Sequence, residues 1–170
     1  MIIPPLATII ASGFGSGLIS RRSPGTLGTV AAVAVWYLMK LDAAPLEIQI
    51  SCAVAVATLG FLSCYCISPK SEEATKKFDP QWVVIDEWAG VFIALIGISL
   101  TAPTSPTGYA LSGITAFLLF RLFDITKIGP IRAVEKLPHG IGIMMDDLLA
   151  GVFALVVRIA LDLFVLPSCT

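Results

Sequence analysis

The twenty residues from Ile48 to Ile67 carry no acidic or basic side chain. As a helix rising 1.5 Å per residue they would cover about 30 Å, the thickness of the hydrocarbon core of a bilayer. Four further apolar runs follow the same pattern: Gly28 to Met39, Trp82 to Leu100 with two acids near its start, Gly108 to Ile125 with one Arg and one Asp, and Ile143 to Leu166. The run from Gly28 is short for a crossing, so it must extend into Thr26 and Leu41 or lie tilted within a bundle. An earlier segment, Ile2 to Ile19, is apolar but broken by Pro4, Pro5 and three glycines. Such a segment is expected at the interface or as a re-entrant piece. The pattern therefore predicts five crossings, or six if that first segment also crosses. Met1 to Pro5 lacks the basic start of a cleaved signal peptide, so the N-terminal segment is expected to be retained.

Composition agrees with a lipid setting. Only 14% of the 170 residues are charged, against roughly 25% in an average soluble domain. A chain of this length makes one domain, residues 1–170, and so few ionised groups could not cover it if it faced water on all sides. The expected fold class is all-α, a multi-helix membrane bundle. With 11 basic against 12 acidic residues there is no electrostatic footprint for nucleic acid. The cysteines at 52, 64, 66 and 169 form no CxxC pair, and they read as reduced packing residues.

The loops between the runs are unequal in charge. If each run crosses once, Ser20 to Gly25, Ser68 to Gln81 and Thr126 to Gly142 share one side. They hold Arg21, Arg22, Lys70, Lys76, Lys77, Lys127, Arg132 and Lys136, whereas the opposite loops hold only Lys40. That bias places the basic side in the cytoplasm. Thr101 to Gly108, with two prolines and a glycine, reads as a turn on the far side.

Ionisable groups inside or beside the apolar runs carry the functional signal. Asp86 and Glu87 stand in WVVIDEWAG, Arg121, Asp124 and Lys127 in FRLFDITK, and Asp146 and Asp147 in GIMMDDLLAG. A charge within a bilayer costs a few kcal/mol even on lenient scales, so each needs a partner, an ion or a watery cavity. Sidedness brings all five acids to the cytoplasmic face. Arg121, Asp124 and Lys127, three apart, share one helix face. Carboxylates from three segments, without His or Cys at ligand spacing, suit a hard cation such as Mg²⁺, with Asp86, Glu87, Asp146 and Asp147 as its ligands.

The same face holds Ser23-Pro-Gly-Thr-Leu-Gly-Thr29 ahead of a helical run. Ser23 is expected to cap that helix and Pro24 to open it, while Gly25 and Gly28 admit a ligand close to the backbone. With Thr26 and Thr29, this helix start favours a phosphate. The glycines of His139-Gly140-Ile141-Gly142 would let the chain bend so that Asp146 and Asp147 reach the site. His139, the only histidine, reads as a surface loop group.

Taken together, SPGTLGT at 23–29, VVIDEWAG at 83–90, RLFDITKIGPI at 121–131 and GIGIMMDDLLAG at 140–151 resemble the phosphatidylglycerophosphatase A family in order and spacing over nearly the whole chain. The resemblance implies an all-helical bundle with one central helix surrounded by others. It also implies a Mg²⁺-dependent membrane phosphatase that converts phosphatidylglycerophosphate, a phospholipid substrate, to phosphatidylglycerol and inorganic phosphate.

Other phosphatase chemistries lack their residues. No Cys is followed by Arg six positions later, there is no Asp-x-Asp, one histidine cannot make a histidine pair, and Walker and GxSxG motifs are absent. Metal-assisted hydrolysis remains, with Asp124 as a further ligand or general base and with Lys127 and Arg121 on the phosphate oxygens. Direct attack by water and an Asp nucleophile both fit these residues. A small transporter or channel is the competing class, because intramembrane acids also mark ion pathways. It would spread its acids through the depth of the bilayer. A purely structural subunit would leave the paired acids without a reason.

Overall fold

The computed structural model describes residues 5–68, 80–98, 106–137 and 140–164. Its helices are α1 (Pro5–Ala11), α2 (Pro24–Leu38), α3 (Leu46–Ile67), α4 (Ile85–Leu95), α5 (Pro106–Thr126), α6 (Ile131–Val134) and α7 (Ile141–Phe164). Single 3-10 turns at Ser16–Leu18 and Leu41–Ala43 join the first three. The expected all-helical bundle is the observed one. His139, Lys70, Lys76, Lys77, Cys169 and most of the turn from Thr101 lie outside the described residues.

The helix at the centre is also one of the shorter ones. α4 touches α1, α2, α3, α5 and α7, and all but Glu87 and Ile93 of its residues are buried. Its apolar positions run almost all round, as a helix enclosed by others requires. Trp36 of α2 meets Phe92 edge-on at 5.1 Å between centroids, and Trp88 stacks near Phe92 at 6.3 Å. Within the expected crossing from Trp82 to Leu100 the helix is broken: α4 ends at Leu95, the chain turns at Ile96 and Gly97, and Ile98 is helical again. The 11-residue helix is about 16 Å long, half a bilayer core. It stops where Gly97 takes a left-handed φ of 72°.

A helix end at that depth leaves carbonyls that lipid cannot satisfy. Arg158 of α7, fully buried, donates from Nε to the Ala94 carbonyl at 3.2 Å and from Nη2 to the Ile96 carbonyl at 2.7 Å. Its Nη1 pairs with Asp162 at 2.7 Å, and the Ser112 hydroxyl of α5 donates to the same carboxylate at 3.2 Å. The Gly97 N–H donates to Gln49 Oε1 of α3 at 2.8 Å, and Gln49 in turn donates to the Ala44 carbonyl.

Among the described residues, two helices, Leu46–Ile67 and Thr107–Thr126, are long and apolar enough to cross a membrane by length and composition. Val54, Leu62 and Tyr65 on the first and Ile114, Leu118 and Ile125 on the second face outward. Each such side chain left in water would forfeit about 1.5–3 kcal/mol, so these faces suit lipid. α2 is shorter, and α7, 24 residues long, carries Asp146, Asp147, Arg158 and Asp162 on its buried side. The first segment does not form a spanning helix. α1 has seven residues, about 10 Å, and the chain then turns back through Gly13, Phe14 and Gly15, all at positive φ. There the Ala11 carbonyl accepts the Val84 N–H at 2.9 Å and Ser16 accepts from the Trp88 indole at 3.3 Å, which braces the start of α4.

Candidate active site

Two glycines set the geometry of the acids. On α4, Gly90 lies one turn beyond Asp86, and on α7, Gly151 lies one turn beyond Asp147, so each glycine shares a helix face with its carboxylate. The helices cross through these glycines: a Cβ on Gly90 would fall 2.5 Å from the Asp147 carbonyl oxygen, and one on Gly151 would strike the Gly90 carbonyl. Backbone contact at the crossing holds the carboxylates side by side. Ligand oxygens of Asp86, Glu87 and Asp147 all lie within 4.8 Å of one another.

Asp86 and Asp147 are buried, and Glu87 Oε2, also buried, has no hydrogen-bond partner among the described residues. At such a separation two full charges repel by about 3 kcal/mol at an effective dielectric constant near 20. Asp86 and Glu87 gain something from the N-terminal end of α4, whose dipole favours anions. That does not neutralise three carboxylates. An all-oxygen set with an unsatisfied buried atom is what a hard metal ion requires, and these three residues could hold one.

The acids form one wall of a cavity of about 650 Å³. All five acids named from the sequence line it, together with Gly25, Thr26, Arg121 and Lys127. The first turn of α2 supplies the facing wall. A Cβ on Gly25 would collide with Glu87 Oε1 and lie 3.6 Å from Arg121 Nη1, so glycine is what lets α2 approach. Arg121 Nη1 pairs with Asp124 Oδ2 at 2.5 Å across one turn of α5.

Lys127, just past the end of α5, takes a left-handed φ of 47° and reaches two carboxylates, Glu135 Oε1 at 2.5 Å and Asp146 Oδ2 at 2.8 Å. Burial opposes its charge, but the hydrogen bonds to Asp146 and Glu135 outweigh it, and its pKa is raised. Lys127 is therefore protonated throughout the neutral range. Asp146 is thereby engaged with a cation, apart from the group of Asp86, Glu87 and Asp147.

Other expected residues are placed differently. Thr29 turns its hydroxyl back to the Gly25 carbonyl at 2.8 Å, and Gly28 packs against Val84. Neither lines the cavity. Ser23 precedes α2, but its side chain makes no cap hydrogen bond. Gly140, at a φ of 76°, turns the chain into α7 as expected of that glycine cluster.

Gln81 and Glu135, which also line the cavity, are not signalled by the sequence, and Arg22 and Lys136, which line it too, stand out there only as basic loop residues. Glu135 had no readable signal, since it meets Lys127 through the turn of α6. Arg158 and Asp162 were also missed, although their i, i+4 spacing within an apolar helix was a signal.

A model of the family described as phosphatidylglycerophosphatase A matches residues 9–162. A Haemophilus influenzae protein named phosphatidylglycerophosphatase A is 37% identical over 159 residues, covering 93% of this chain and 90% of that protein. An Escherichia coli protein of the same name is 33% identical over 147 residues, 86% of this chain and 77% of that protein. A Bacteroides thetaiotaomicron protein named "Putative phosphatidylinositol-3-phosphatase" is 35% identical over 151 residues, 89% of this chain and 90% of that protein. No solved structure matches the chain.

Proposed function

Since the chain belongs to the phosphatidylglycerophosphatase A family of phosphatases, we propose that it removes the terminal phosphate of phosphatidylglycerophosphate with the help of Mg²⁺, releasing phosphatidylglycerol and inorganic phosphate. The observation that carries this reading is the buried trio of Asp86, Glu87 and Asp147, with Glu87 Oε2 unpartnered, in a cavity that also holds Arg121 and Lys127. Asp86, Glu87 and Asp147 would hold the ion. When bound, Mg²⁺ supplies counter-charge to the phosphate and makes a neighbouring water more acidic.

The remaining work falls to side chains of this chain. Arg121 and Lys127 hold the phosphate oxygens, where charge accumulates as the ester bond breaks, and the N–H groups at the start of α2 by Gly25 and Thr26 assist. Asp124 takes the proton of the attacking water through the carboxylate that Arg121 orients. The water oxygen bonds to phosphorus, the P–O bond to glycerol breaks, and the departing alkoxide takes a proton from solvent. Asp146, expected as a fourth ligand, serves in this reading to hold Lys127. Oxygen-18 from water should enter the released phosphate without a trappable phosphoenzyme, whereas an aspartyl-phosphate would instead assign the attack to a carboxylate.

The charge of the basic loops supports a cavity facing the cytoplasm, and the reading locates the protein in the cell's inner membrane. Asp86, Glu87, Asp124, Asp146 and Asp147 gather at one end of the bundle, and Asp162 at the other is paired with Arg158, which favours hydrolysis at headgroup level over an ion pathway. The test is phosphate release by purified protein in detergent from phosphatidylglycerophosphate, with and without chelator. Phosphatidylinositol 3-phosphate belongs in the same panel because of the Bacteroides relative's name. Release from phosphatidylglycerophosphate that chelation stops supports the reading. Preference for the inositol lipid would reassign the headgroup, and release indifferent to chelation would remove the metal.

A further inference from the structure

A second cavity, about 700 Å³, lies between α2 and α5. Val30, Val33 and Tyr37 of α2 and Tyr109, Gly113 and Phe117 of α5 line it, and beyond Tyr37 the carboxylate residue Asp42 lines it too. The same two helices form opposing parts of the acid-lined cavity through Thr26 and Arg121. Along α2, Thr26, Val30, Val33 and Tyr37 follow one another by four, three and four residues. Along α5, Arg121, Phe117, Gly113 and Tyr109 follow by four each time. Both series keep to one helix face, so the apolar cleft begins one turn from the polar cavity on each helix.

The cleft has a depth and a closed end. From Thr26 to Tyr37 the helix rises about 16 Å, close to the hydrocarbon depth of one leaflet. At the far end the Tyr37 hydroxyl donates to the Tyr109 carbonyl at 3.2 Å. A Cβ on Gly113 would strike that hydroxyl, so the glycine lets the tyrosine lie across the end of the cleft. Val30 and Ile114, which also line it, are about half exposed, so the cleft opens sideways toward lipid.

We propose that the cleft between α2 and α5 seats an acyl chain of the phospholipid substrate, so that the lipid enters sideways with its phosphate already above Asp86, Glu87 and Asp147. The proposal rests on the lipid-phosphatase reading, and it adds where the hydrophobic part of the substrate lies. Alignment with the polar cavity, one turn away along both helices, selects this occupant over a second copy of the chain. A partner helix would need a long uninterrupted face, whereas this cleft ends at Tyr37 and Asp42 and its other end lies one turn from a charged cavity.

The experiment compares kcat/KM for long-chain and short-chain phosphatidylglycerophosphate in the wild type, Val33→Phe and Ile114→Trp, with Val54→Trp on the outward face of α3 as control. Filling the cleft should lower the long-chain to short-chain ratio by about tenfold or more, the value of roughly two buried methylene groups. The control should leave the ratio alone. Phosphatidylglycerophosphate bearing a photoactivatable acyl chain should also crosslink to α2 and α5 in preference to α3, a readout independent of turnover. An active wild type whose ratio does not move in either cleft variant would overturn the proposal and leave the catalytic reading standing. A wild type that crosslinks as expected but releases no phosphate would do the reverse. Crosslinking between two copies through Val30 and Ile114 would assign the cleft to a dimer and also overturn it.

Discussion

The two ends of α4 bury charge in opposite ways. At its C-terminal end, Arg158 meets Asp162 and the carbonyls of Ala94 and Ile96, Ser112 meets Asp162, and Gln49 meets Gly97. At its N-terminal end, Asp86, Glu87 and Asp147 face one another, and Glu87 Oε2 meets nothing among the described residues. Both ends complement the helix dipole, with acids at the start and a guanidinium at the finish. Only one is compensated from within. Buried charge satisfied by the chain serves the fold, while the acids that the described residues leave unneutralised could hold a metal ion, and the proposed function depends on that difference.

The strongest way to break this comparison is to neutralise the acidic end. Asp147→Asn and Asp86→Asn should each lower phosphate release by about a thousandfold or more, as expected when a group that holds the metal and supports the charge of the reaction is lost. Thermal unfolding of the metal-free variants should occur no lower than in the wild type, because one of three mutually repelling charges is gone. Near-normal turnover with Mg²⁺ present would detach these acids from catalysis.

The opposite end should answer to stability. Arg158→Met removes the guanidinium paired with the buried Asp162 and strips donors from two carbonyls, so it should cost about 3–5 kcal/mol in unfolding free energy. Adding Asp162→Leu should restore part of that loss, because removing both partners of a buried pair is far less costly than removing one. Denaturant titration in detergent checks both. If Arg158→Met unfolds like the wild type but loses activity, the two ends do not divide the work in this way.

Much of the acidic end was legible from the chain alone. Carboxylates in apolar runs are costly wherever they occur, and the basic loops fixed which ends of the runs should meet, so Asp86, Glu87, Asp124, Asp146 and Asp147 could be assigned to one cavity before any coordinates. Hydropathy could not show that the helix begun in the run from Trp82 to Leu100 is broken after 11 residues, at Ile96 and Gly97. Its break is satisfied by Arg158 and Gln49, distant in sequence, and an apolar run reads the same whether or not such partners interrupt it. Nor could spacing separate Asp146 from Asp147. Adjacent acids point about 100° apart on a helix, and the turn that brings Lys127 to Asp146 is tertiary.

Ligand binding should sharpen the contrast without any turnover. Because Mg²⁺ is expected to bind the folded cavity and not the unfolded chain, a concentration of a hundred times its dissociation constant should stabilise the wild type by about 2.7 kcal/mol. Glu87→Gln removes a ligand charge at the site and should reduce that shift, whereas Ser112→Ala at the other end should retain it. Differential scanning fluorimetry against Mg²⁺ concentration reads this directly. Equal shifts in both variants would locate the stabilising ion elsewhere.

The smallest expected effect comes from the crossing that holds the acids together. In Gly151→Ala the new methyl group meets the Gly90 carbonyl, which neither helix can move without shifting its neighbours, and α4 and α7 must part slightly. Overpacking of this kind costs about 1–3 kcal/mol. The functional consequence follows from the geometry, since separating the helices at Gly90 also separates Asp86 and Glu87 from Asp147 one turn away. The Mg²⁺ concentration for half-maximal phosphate release should therefore rise, while turnover at saturating Mg²⁺ falls less. Ala154→Gly, one turn nearer the Arg158 end at another buried small residue of α7, should lower stability without moving the Mg²⁺ midpoint. If both variants leave that midpoint unchanged, the close crossing serves packing alone, and the carboxylates owe their juxtaposition to other contacts.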